Sequence, residues 1–281
     1  MNKIDDVGGL IIDMDGVLWH GNNPVAGLKE FFMTLRDLSI PFILATNNAS
    51  LTQQQYIDKL ASMGVTVSAK EILTSSMATA SYLAEHLPEN QRRAFVIGED
   101  GLRKPLIKQG FTLTDLYQVN QPEKNILDQG ADIVVSGLDR KLTWDKLATA
   151  TLNIKAGALF YATNADTTLP TELGEVMGNG GTLAALEAAT GVKAISIGKP
   201  EPILYQQALA LLGTQQHETI AIGDRLDTDI LGAVNAGMRS IMVLTGVSSE
   251  QDIASLDYEP SWIMADINDV AQNLKHSVLK T

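Results

Sequence analysis

The sequence predicts an α/β fold: a Rossmann-like, mostly parallel sheet into which a second α/β domain is inserted. Three observations predict this fold. Short apolar runs are near-continuous rather than alternating, which is typical of strands covered on both faces. Helix-like stretches separate these runs, and such alternation favours a parallel sheet. Two of the polar clusters that end the runs are also too far apart for a single strand–helix–strand step.

Eight apolar runs are predicted strands, and four stretches between them are predicted helices. In chain order the strands are 9–12, 41–45, 94–97, 133–135, 158–162, 195–197, 219–222 and 240–244. The helices are 28–38, 52–63, 182–189 and 203–212. The first helix has apolar side chains at 28, 31, 32, 35 and 38, the spacing of one helix face. Gly64 and Gly213 follow two of the others as predicted C-caps.

Composition bounds the function. The chain has 281 residues, which at about 150 residues per domain favours two domains. It carries 21 Lys and Arg against 33 Asp and Glu, a net charge of −12, without the basic cluster that binds nucleic acid. The absence of cysteine excludes a thiol nucleophile, a disulfide and a zinc–thiolate site. No apolar run has the length of a signal peptide or a membrane span, so we expect a cytoplasmic protein without a membrane partner.

Polar clusters follow four of the predicted strands. Ligands of an open parallel sheet bind beyond the carboxyl ends of its strands. We therefore expect these four clusters, on neighbouring strands, to converge on one site. They are residues 13–16, 46–48, 199–200 and 224–229.

The spacing of the clusters places the second domain. Asp13 and Thr46 are 33 residues apart, and Lys199 and Asp224 are 25 apart, so each interval fits one strand–helix–strand step of about 30 residues. Thr46 and Lys199 are 153 residues apart, and the interval has strand and helix signals of its own. The sequence thus predicts an inserted domain at 86–180, between core segments 1–85 and 181–281.

Two carboxylates, Asp13 and Asp15, stand at alternate positions after the first strand, so both can point the same way. One of them could attack a substrate while the other handles a proton. Asp-x-Asp also begins an EF-hand loop, but here the fifth position is Val17 and the twelfth is Pro24, which excludes that site.

The other clusters each allow a structural and a functional interpretation. Thr46 and Asn47 offer a hydroxyl and backbone N–H groups for phosphate oxygens, or they could cap a helix. Lys199 could be a solvated turn residue. Asp224 could be an N-cap, with Asp229 favouring the helix dipole. Their order and their common position after apolar runs favour one shared site.

In this order the motifs resemble those of the haloacid dehalogenase (HAD) superfamily of phosphotransferases. They are residues 13–17, Thr46, Lys199, and 223–224 with Asp229. Residues 17–24, 45–50 and 223–230 are similar to the class IIA subgroup, the NagD-like and p-nitrophenylphosphatase-like enzymes, and residues 161–166 and 178–180 to its cap domain. The resemblance covers essentially the whole chain, and it implies a HAD fold whose inserted α/β domain is the cap.

The resemblance implies a Mg²⁺-dependent phosphatase that hydrolyses small phosphate monoesters through an aspartyl-phosphate intermediate. Asp13 would be the nucleophile and Asp15 the acid and base. The metal would be held by Asp13, the backbone carbonyl of Asp15 and Asp224, while Asp229 orients a metal-bound water or ligates directly. Phosphoryl oxygens would be held by Thr46, the Asn47 N–H and Lys199.

The cap of such enzymes selects the leaving group. The candidate substrate residues in the predicted cap are Asn164, Asp166, Glu172 and Gly180 in its glycine turn. The resemblance allows sugar phosphates, nucleoside monophosphates and similar phosphorylated metabolites as substrates, and a homodimer formed through the cap.

Alternatives share parts of this pattern. A dehalogenase has no use for Asp15, and a receiver-like signalling domain has adjacent acids and a shorter chain. A nicotinamide site requires a glycine cluster directly after a strand, and the cluster 178–181 follows no convincing strand. A phosphomutase, which shares Asp-x-Asp, and a non-catalytic phosphate-binding module on the same fold stay open.

Overall fold

The computed structural model describes residues 4–117, 130–171 and 173–278. The chain forms two compact units, each built from separate segments. The first comprises Met1–Thr46, Gln53–Leu73 and Lys199–Thr281, and the second comprises Asn47–Thr52 and Thr74–Gly198. No helix within the described part of the chain is long and apolar enough to cross a membrane.

Strands and helices alternate along the chain. The strands are β1 (Gly9–Ile12), β2 (Trp19–His20), β3 (Asn23–Pro24), β4 (Phe42–Thr46), β5 (Ile72–Thr74), β6 (Arg93–Ile97), β7 (Thr112–Leu113), β8 (Ile133–Ser136), β9 (Leu159–Ala162), β10 (Thr168–Thr171), β11 (Gly174–Met177), β12 (Ile195–Ser196), β13 (Thr219–Gly223), β14 (Arg239–Val243) and β15 (Trp262–Met264). The helices are α1 (Leu28–Asp37), α2 (Gln53–Ser62), α3 (Ser75–His86), α4 (Asp100–Lys108), α5 (Trp144–Lys155), α6 (Asn179–Thr190), α7 (Pro202–Leu212), α8 (Leu231–Asn235), α9 (Glu250–Ile253) and α10 (Ile267–Val278).

The first unit is built on a six-stranded sheet of order β15-β14-β13-β1-β4-β5. β1 lies between β4 and β13 and pairs in parallel with both, so that Ile11 is opposite Ile43 on one side and Ala221 on the other. Every residue of β1, β4 and β13 is buried. This burial on both faces explains why these strands appear in the sequence as unbroken apolar runs.

Helix α1 shows how the sequence pattern becomes packing. Leu28, Phe31, Phe32 and Leu35 form its buried face, at the spacing predicted for one side of a helix. The Phe32 ring meets the ring of Phe42 in β4 edge to face, with 5.2 Å between ring centroids. Burying a side chain of this size contributes roughly 1.5–3 kcal/mol, which fixes the helix to the sheet.

The second unit has its own five-stranded sheet, of order β12-β9-β8-β6-β7. β8 pairs in parallel with β6 and β9. A separate core cluster includes Phe95 and Val134 from this sheet, Ile154 from α5 and Leu186 from α6. β10 and β11 form a separate antiparallel hairpin. The predicted α/β class is confirmed for both units.

One predicted strand joins a different sheet from the one expected. The run 195–197 forms β12, but β12 pairs with β9 in the second unit and not with the strands that precede Asp13, Thr46 and Asp224. The expectation that it neighbours those strands is wrong. An apolar run indicates that a strand is buried but not which sheet it joins.

The edges of the second unit differ from those of the predicted insert. The insert, 86–180, lies inside the longer segment Thr74–Gly198. Helix α3 packs on α4, and β12 extends the second sheet, so both elements belong to the second unit. β5, β15 and the two short hairpins were not predicted from the sequence, because their strands have only two to four residues each.

Candidate active site

Three strand ends bring predicted site residues to one edge of the first unit's sheet. Asp13 directly follows β1, Thr46 is the last residue of β4, and Asp224 directly follows β13. Because β1 lies between the other two strands and runs parallel to them, the carboxyl ends of all three meet. All three side chains are buried. The structure thus brings these clusters together, as their positions predicted.

Lys199 joins this group although the strand before it lies in the second unit. Its Nζ donates to Asp13 Oδ1 at 2.5 Å, to Asp229 Oδ1 at 2.6 Å and to the Ala45 carbonyl at 3.2 Å. The side chain is buried. Lys199 is therefore no solvated turn residue: it links two buried carboxylates.

Burial and charge act in opposite directions on these groups. Burial favours the neutral amine of Lys199, but Asp13 and Asp229 outweigh it and raise the pKa of Lys199 well above its usual value. For Asp13 burial prevails and raises the pKa of the carboxyl well above its usual value, although Lys199 works to lower it. One ammonium thus faces more negative charge than it balances, and a further cation would favour the ionised carboxylates.

Asp13, Asp224 and Asp229 form a group that fits a metal ion. One carboxylate oxygen from each lies within 4.8 Å of the others. Asp224 Oδ1 is buried and has no hydrogen-bond partner among the described residues. Burial first, and then the charge of Asp229, raise the pKa of Asp224 to about 7. An unpartnered buried oxygen beside two further carboxylates is the donor set of a hard, oxygen-preferring cation.

Asp229 is held by the turn that precedes α8. Its Oδ2 accepts hydrogen bonds from the backbone N–H groups of Asp224, at 3.2 Å, and Arg225, at 3.1 Å. The Tyr205 hydroxyl donates to the backbone carbonyl of Asp229 at 2.9 Å. Both carboxylate oxygens are thus engaged, one by backbone and one by Lys199. The side chain of Asp224 caps no helix: Arg225 is the N-cap of the π-helical turn 226–230, and this turn has no side-chain cap hydrogen bond.

A loop after β14, which was not predicted from the sequence, completes the surroundings of Asp224. The Val247 N–H donates to Asp224 Oδ2 at 2.8 Å. A Cβ on Gly246 would lie 1.8 Å from that same oxygen, and one on Gly223 would lie 2.2 Å from Asp229 Cβ. Only glycine lets the backbone approach so closely. The position of Gly246, three residues after the end of β14, is the signal that could have identified it.

Asp15 lies apart from the three-acid group. Its Oδ1 accepts a hydrogen bond from the indole N–H of Trp19 at 2.8 Å. Asp15 is half-buried, whereas Asp13, two residues earlier, is buried. The pair therefore presents one carboxylate to Lys199 and another to the indole, consistent with two different tasks.

In the second unit Asn47 lies in a polar network of its own. Its Nδ2 donates to both carboxylate oxygens of Asp166, at 3.1 and 3.3 Å. Its carbonyl accepts hydrogen bonds from Ser75 Oγ and from Asn164 Nδ2, each at 2.8 Å. Two of the predicted substrate residues, Asn164 and Asp166, therefore hold the Asn47 loop.

The other two predicted substrate residues are Gly180 and Glu172. Gly180 is the second residue of α6, and its N–H donates to the Asp166 carbonyl at 2.8 Å. A Cβ at this position would lie 2.6 Å from the Ala165 carbonyl oxygen, so the glycine permits close packing of two backbone segments. Glu172 lies outside the described residues. A substrate role for any of the four stays a prediction.

Comparison with known proteins identifies the family. The profile of the haloacid dehalogenase-like hydrolases matches residues 10–112, and a second HAD-hydrolase-like profile matches residues 196–270. The chain is 38% identical over 243 residues to the 5'-nucleotidase YutF of Bacillus subtilis, covering 86% of this chain and 89% of that protein. The chain belongs to the haloacid dehalogenase-like hydrolases. Between them, the two profiles cover all the first-unit residues that meet around Asp13.

This hydrolase is also similar to two further proteins across nearly their whole length. It is 35% identical to the acid sugar phosphatase of Staphylococcus saprophyticus, over 94% of this chain and 97% of that protein. The solved structure of NagD from Escherichia coli K-12 is 37% identical and has a TM-score of 0.82, covering 93% of this chain and 97% of that one. The resemblance of this HAD-like hydrolase to the NagD-like subgroup is confirmed.

Proposed function

We propose that this HAD-like hydrolase is a Mg²⁺-dependent phosphatase, which hydrolyses small phosphate monoesters through an aspartyl-phosphate on Asp13. The observation that carries the proposal is the buried contact of Asp13 with Lys199, beside the carboxylates of Asp224 and Asp229. A buried nucleophilic carboxylate next to a fixed ammonium and a cation site suits attack on an anionic phosphoryl group.

In the first half of the reaction Asp13 attacks the phosphorus atom. A carboxylate oxygen of Asp13 forms a bond to phosphorus while the bond to the leaving-group oxygen breaks. Asp15 gives its proton to that oxygen, so the leaving group departs as a neutral alcohol. Two like charges about 4 Å apart repel by roughly 4 kcal/mol at an effective dielectric near 20. The Lys199 ammonium offsets such repulsion between Asp13 and the phosphate.

In the second half a water molecule attacks the same phosphorus atom. Asp15, now a carboxylate, takes a proton from this water. The bond between phosphorus and Asp13 breaks, and its electron pair returns to the carboxylate. The hydroxyl of Thr46 and the Nζ of Lys199 hold phosphoryl oxygens through both steps, and the backbone N–H of Asn47 stays a predicted third donor.

The residues that would hold Mg²⁺ are Asp13 and Asp224, with the backbone carbonyl of Asp15. The unpartnered Oδ1 of Asp224 supports this assignment. Asp229, whose oxygens accept bonds from backbone N–H groups and Lys199, orients the site. When bound, the ion supplies positive charge against the phosphoryl oxygens and keeps the carboxylates ionised.

The proposed substrates are small phosphorylated metabolites, with sugar phosphates and nucleotides as the first classes to test. The names of the two curated relatives, a 5'-nucleotidase and an acid sugar phosphatase, support these classes. They also favour hydrolysis over the phosphomutase alternative. A cytoplasmic location and a homodimer formed through the cap stay predictions.

The proposal is tested by phosphate release from p-nitrophenyl phosphate with Mg²⁺ and with excess chelator. We expect turnover that requires Mg²⁺ and that falls at least about 10³-fold in Asp13→Asn, because the amide cannot form the acyl phosphate. Asp145→Asn, an exposed change in α5, is the matched control and should keep wild-type rates. Full turnover by Asp13→Asn would contradict the aspartyl-phosphate on Asp13, and no turnover by the wild type would favour the non-catalytic module instead.

A further inference from the structure

We propose that Trp19 positions the carboxyl group of Asp15 for proton transfer, and that Lys59 holds the Trp19 ring in place. The inference rests on the proposed phosphatase function. It adds to that function a residue that decides which oxygen of Asp15 carries the proton.

The hydrogen bond from Trp19 makes the two carboxyl oxygens of Asp15 chemically different. Trp19 Nε1 donates to Asp15 Oδ1 at 2.8 Å. An indole nitrogen can only donate, so the oxygen facing it must be an acceptor in both protonation states. Oδ2 accepts no hydrogen bond from the residues that the structure describes. The transferable proton is therefore on Oδ2.

The backbone fixes the distance between the two residues. The Gly16 N–H donates to the Trp19 carbonyl at 2.9 Å, and the Leu18 N–H donates to the Met14 carbonyl at 2.8 Å. These bonds close a tight turn between Asp15 and Trp19. Trp19 then enters the antiparallel pair β2–β3, opposite Pro24. The backbone of Trp19 is thus held in the same turn as Asp15, the acid that its indole contacts.

Helix α2 fixes the ring from the other side. Trp19 is fully buried, and its ring stacks on Tyr56 with 6.5 Å between centroids and 21° between planes. Lys59 Nζ lies 4.2 Å from the centroid of the indole ring, a cation–π contact. Tyr56 and Lys59 are three residues apart and so share one face of α2. A ring held in this way has little freedom to move its N–H away from Asp15.

Lys59 also senses the charge of Asp15. Burial lowers the pKa of Lys59, and the negative charge of Asp15 acts in the opposite direction. The ammonium, the indole and the carboxyl group therefore form one connected set within the first unit. Burying an indole N–H without a hydrogen-bond acceptor would cost free energy, so Asp15 also supplies the acceptor that the buried Trp19 ring needs.

The proton-transfer steps balance without any proton from Trp19. In the first half-reaction the proton on Asp15 Oδ2 moves to the leaving-group oxygen, which keeps the electron pair of the broken phosphorus–oxygen bond. In the second half-reaction an attacking water gives a proton back to Oδ2. Trp19 donates to Oδ1 throughout and transfers no proton, so it is a positioning residue.

This role predicts an effect that depends on the leaving group. Alkoxide is a poor leaving group and needs its proton during bond cleavage, whereas p-nitrophenolate leaves without one. The kcat/KM value reports the steps up to formation of the aspartyl-phosphate, so it isolates the proton-donating half-reaction. Misplacing the acid should therefore lower kcat/KM for an alkyl phosphate much more than for p-nitrophenyl phosphate.

The experiment compares wild type and Trp19→Phe with glycerol phosphate and p-nitrophenyl phosphate in saturating Mg²⁺. Phenylalanine keeps an aromatic ring but lacks the N–H. We expect kcat/KM to fall roughly 10-fold or more with the alkyl ester and roughly 3-fold or less with the aryl ester, since acid catalysis is worth about 10²–10⁴-fold in total. Trp144→Phe, an exposed tryptophan of α5, is the matched control and should change neither value.

A second variant keeps the proposal testable if Trp19→Phe folds poorly. Lys59→Gln removes the cation above the ring and should shift the ratio of the two kcat/KM values in the same direction by a smaller factor. Lys70→Gln, an exposed lysine, is its control. Equal losses with both esters, or no loss in a folded Trp19→Phe, would overturn the inference. A wild-type protein that turns over neither ester would instead overturn the proposed function.

Discussion

At the scale of single residues, Lys199 and Asp224 carry opposite parts of the site's charge. Lys199 is an ammonium held between two buried carboxylates, Asp13 and Asp229. Asp224 is a carboxylate whose buried Oδ1 has no hydrogen-bond partner among the described residues. The first is balanced within the protein, and the second is balanced only when a cation binds. Each therefore leads to a different prediction for stability.

Removing the Lys199 charge should destabilise the protein and abolish turnover. Lys199→Met leaves two buried carboxylates without their cation, and breaking a buried ion pair from one side costs about 3–5 kcal/mol. Urea unfolding of the metal-free protein measures this loss, with the exposed Lys193→Met as control. An unfolding free energy equal to that of the wild type would show that Asp13 and Asp229 do not depend on Lys199.

The stability of the metal-free protein should fall as the pH rises. Burial raises the pKa of Asp224 from an ordinary value of 3.8 to about 7, so the folded state binds this proton more tightly than the unfolded state. Its stabilising contribution is complete below pH 3.8 and is lost as the pH rises through about 7. One unit of pKa difference corresponds to about 1.4 kcal/mol, so the loss amounts to a few kcal/mol.

Thermal unfolding at pH 5 and pH 8, with Mg²⁺ and with chelator, checks this prediction. We expect Mg²⁺ to raise Tm more at pH 8, where it neutralises a carboxylate that burial disfavours. Asp224→Asn should remove both the pH dependence due to this group and most of the Mg²⁺ effect. A Mg²⁺ effect on Tm of the same size at both pH values in the wild type would contradict the assignment.

At the scale of elements, the loop after β14 shapes the proposed metal site. It contributes the Val247 N–H to Asp224 Oδ2, and it approaches so closely that Gly246 cannot carry a side chain. The loop has no charged residue of its own between Thr245 and Ser249. Its contribution is backbone geometry, which fixes one oxygen of Asp224 and leaves the other for the cation.

Substituting Gly246 should weaken metal binding more than it weakens the fold. In Gly246→Ala the new methyl group displaces either the loop or Asp224, and such overpacking costs about 1–3 kcal/mol of stability. Isothermal titration with Mg²⁺ should show a clear loss of affinity. Gly8→Ala is the control, because the three atoms nearest to its Cβ all belong to the flexible side chain of Glu218. Unchanged Mg²⁺ affinity would mean that the loop does not fix Asp224.

The elements also show what the sequence could and could not predict. Strands buried on both faces gave clear apolar runs, so β1, β4 and β13 were found, and with them the meeting point of Asp13, Thr46 and Asp224. The sheet that β12 joins was not predictable, because burial does not identify a strand's neighbours. The loop at Gly246 was missed because a backbone N–H contributes whatever the side chain. The contact of Trp19 with Asp15 was missed because it depends on a turn geometry that the residue types alone do not specify.

At the scale of the whole molecule, all the carboxylates of the three-acid group lie in the first unit. The second unit has a separate sheet and a separate buried cluster. A cation bound by these carboxylates would therefore directly stabilise only the first of the two units. This unequal distribution can be measured in the intact protein.

Hydrogen exchange should show that Mg²⁺ protects the first unit selectively. A ligand present at 100 times its Kd stabilises the state that binds it by about 2.7 kcal/mol. We expect the amides of β1 and β13 to exchange more slowly in Mg²⁺ than in chelator, while those of β8 change much less. Asp224→Asn should remove the difference. Equal protection of both sheets would contradict a cation site confined to the first unit.

The division of the chain into segments also determines when the site can exist during synthesis. Asp13 emerges from the ribosome 186 residues before its ammonium partner, and β13, the strand beside β1, comes later still. Until then β1 lacks one of its two neighbouring strands, and one edge of β1 has no strand to pair with. All strands of the second unit, by contrast, are made before residue 199. A nascent or truncated chain that ends there carries a complete second unit, yet Asp13, the proposed nucleophile, has no counter-ion, and the proposed metal site lacks two of its three carboxylates.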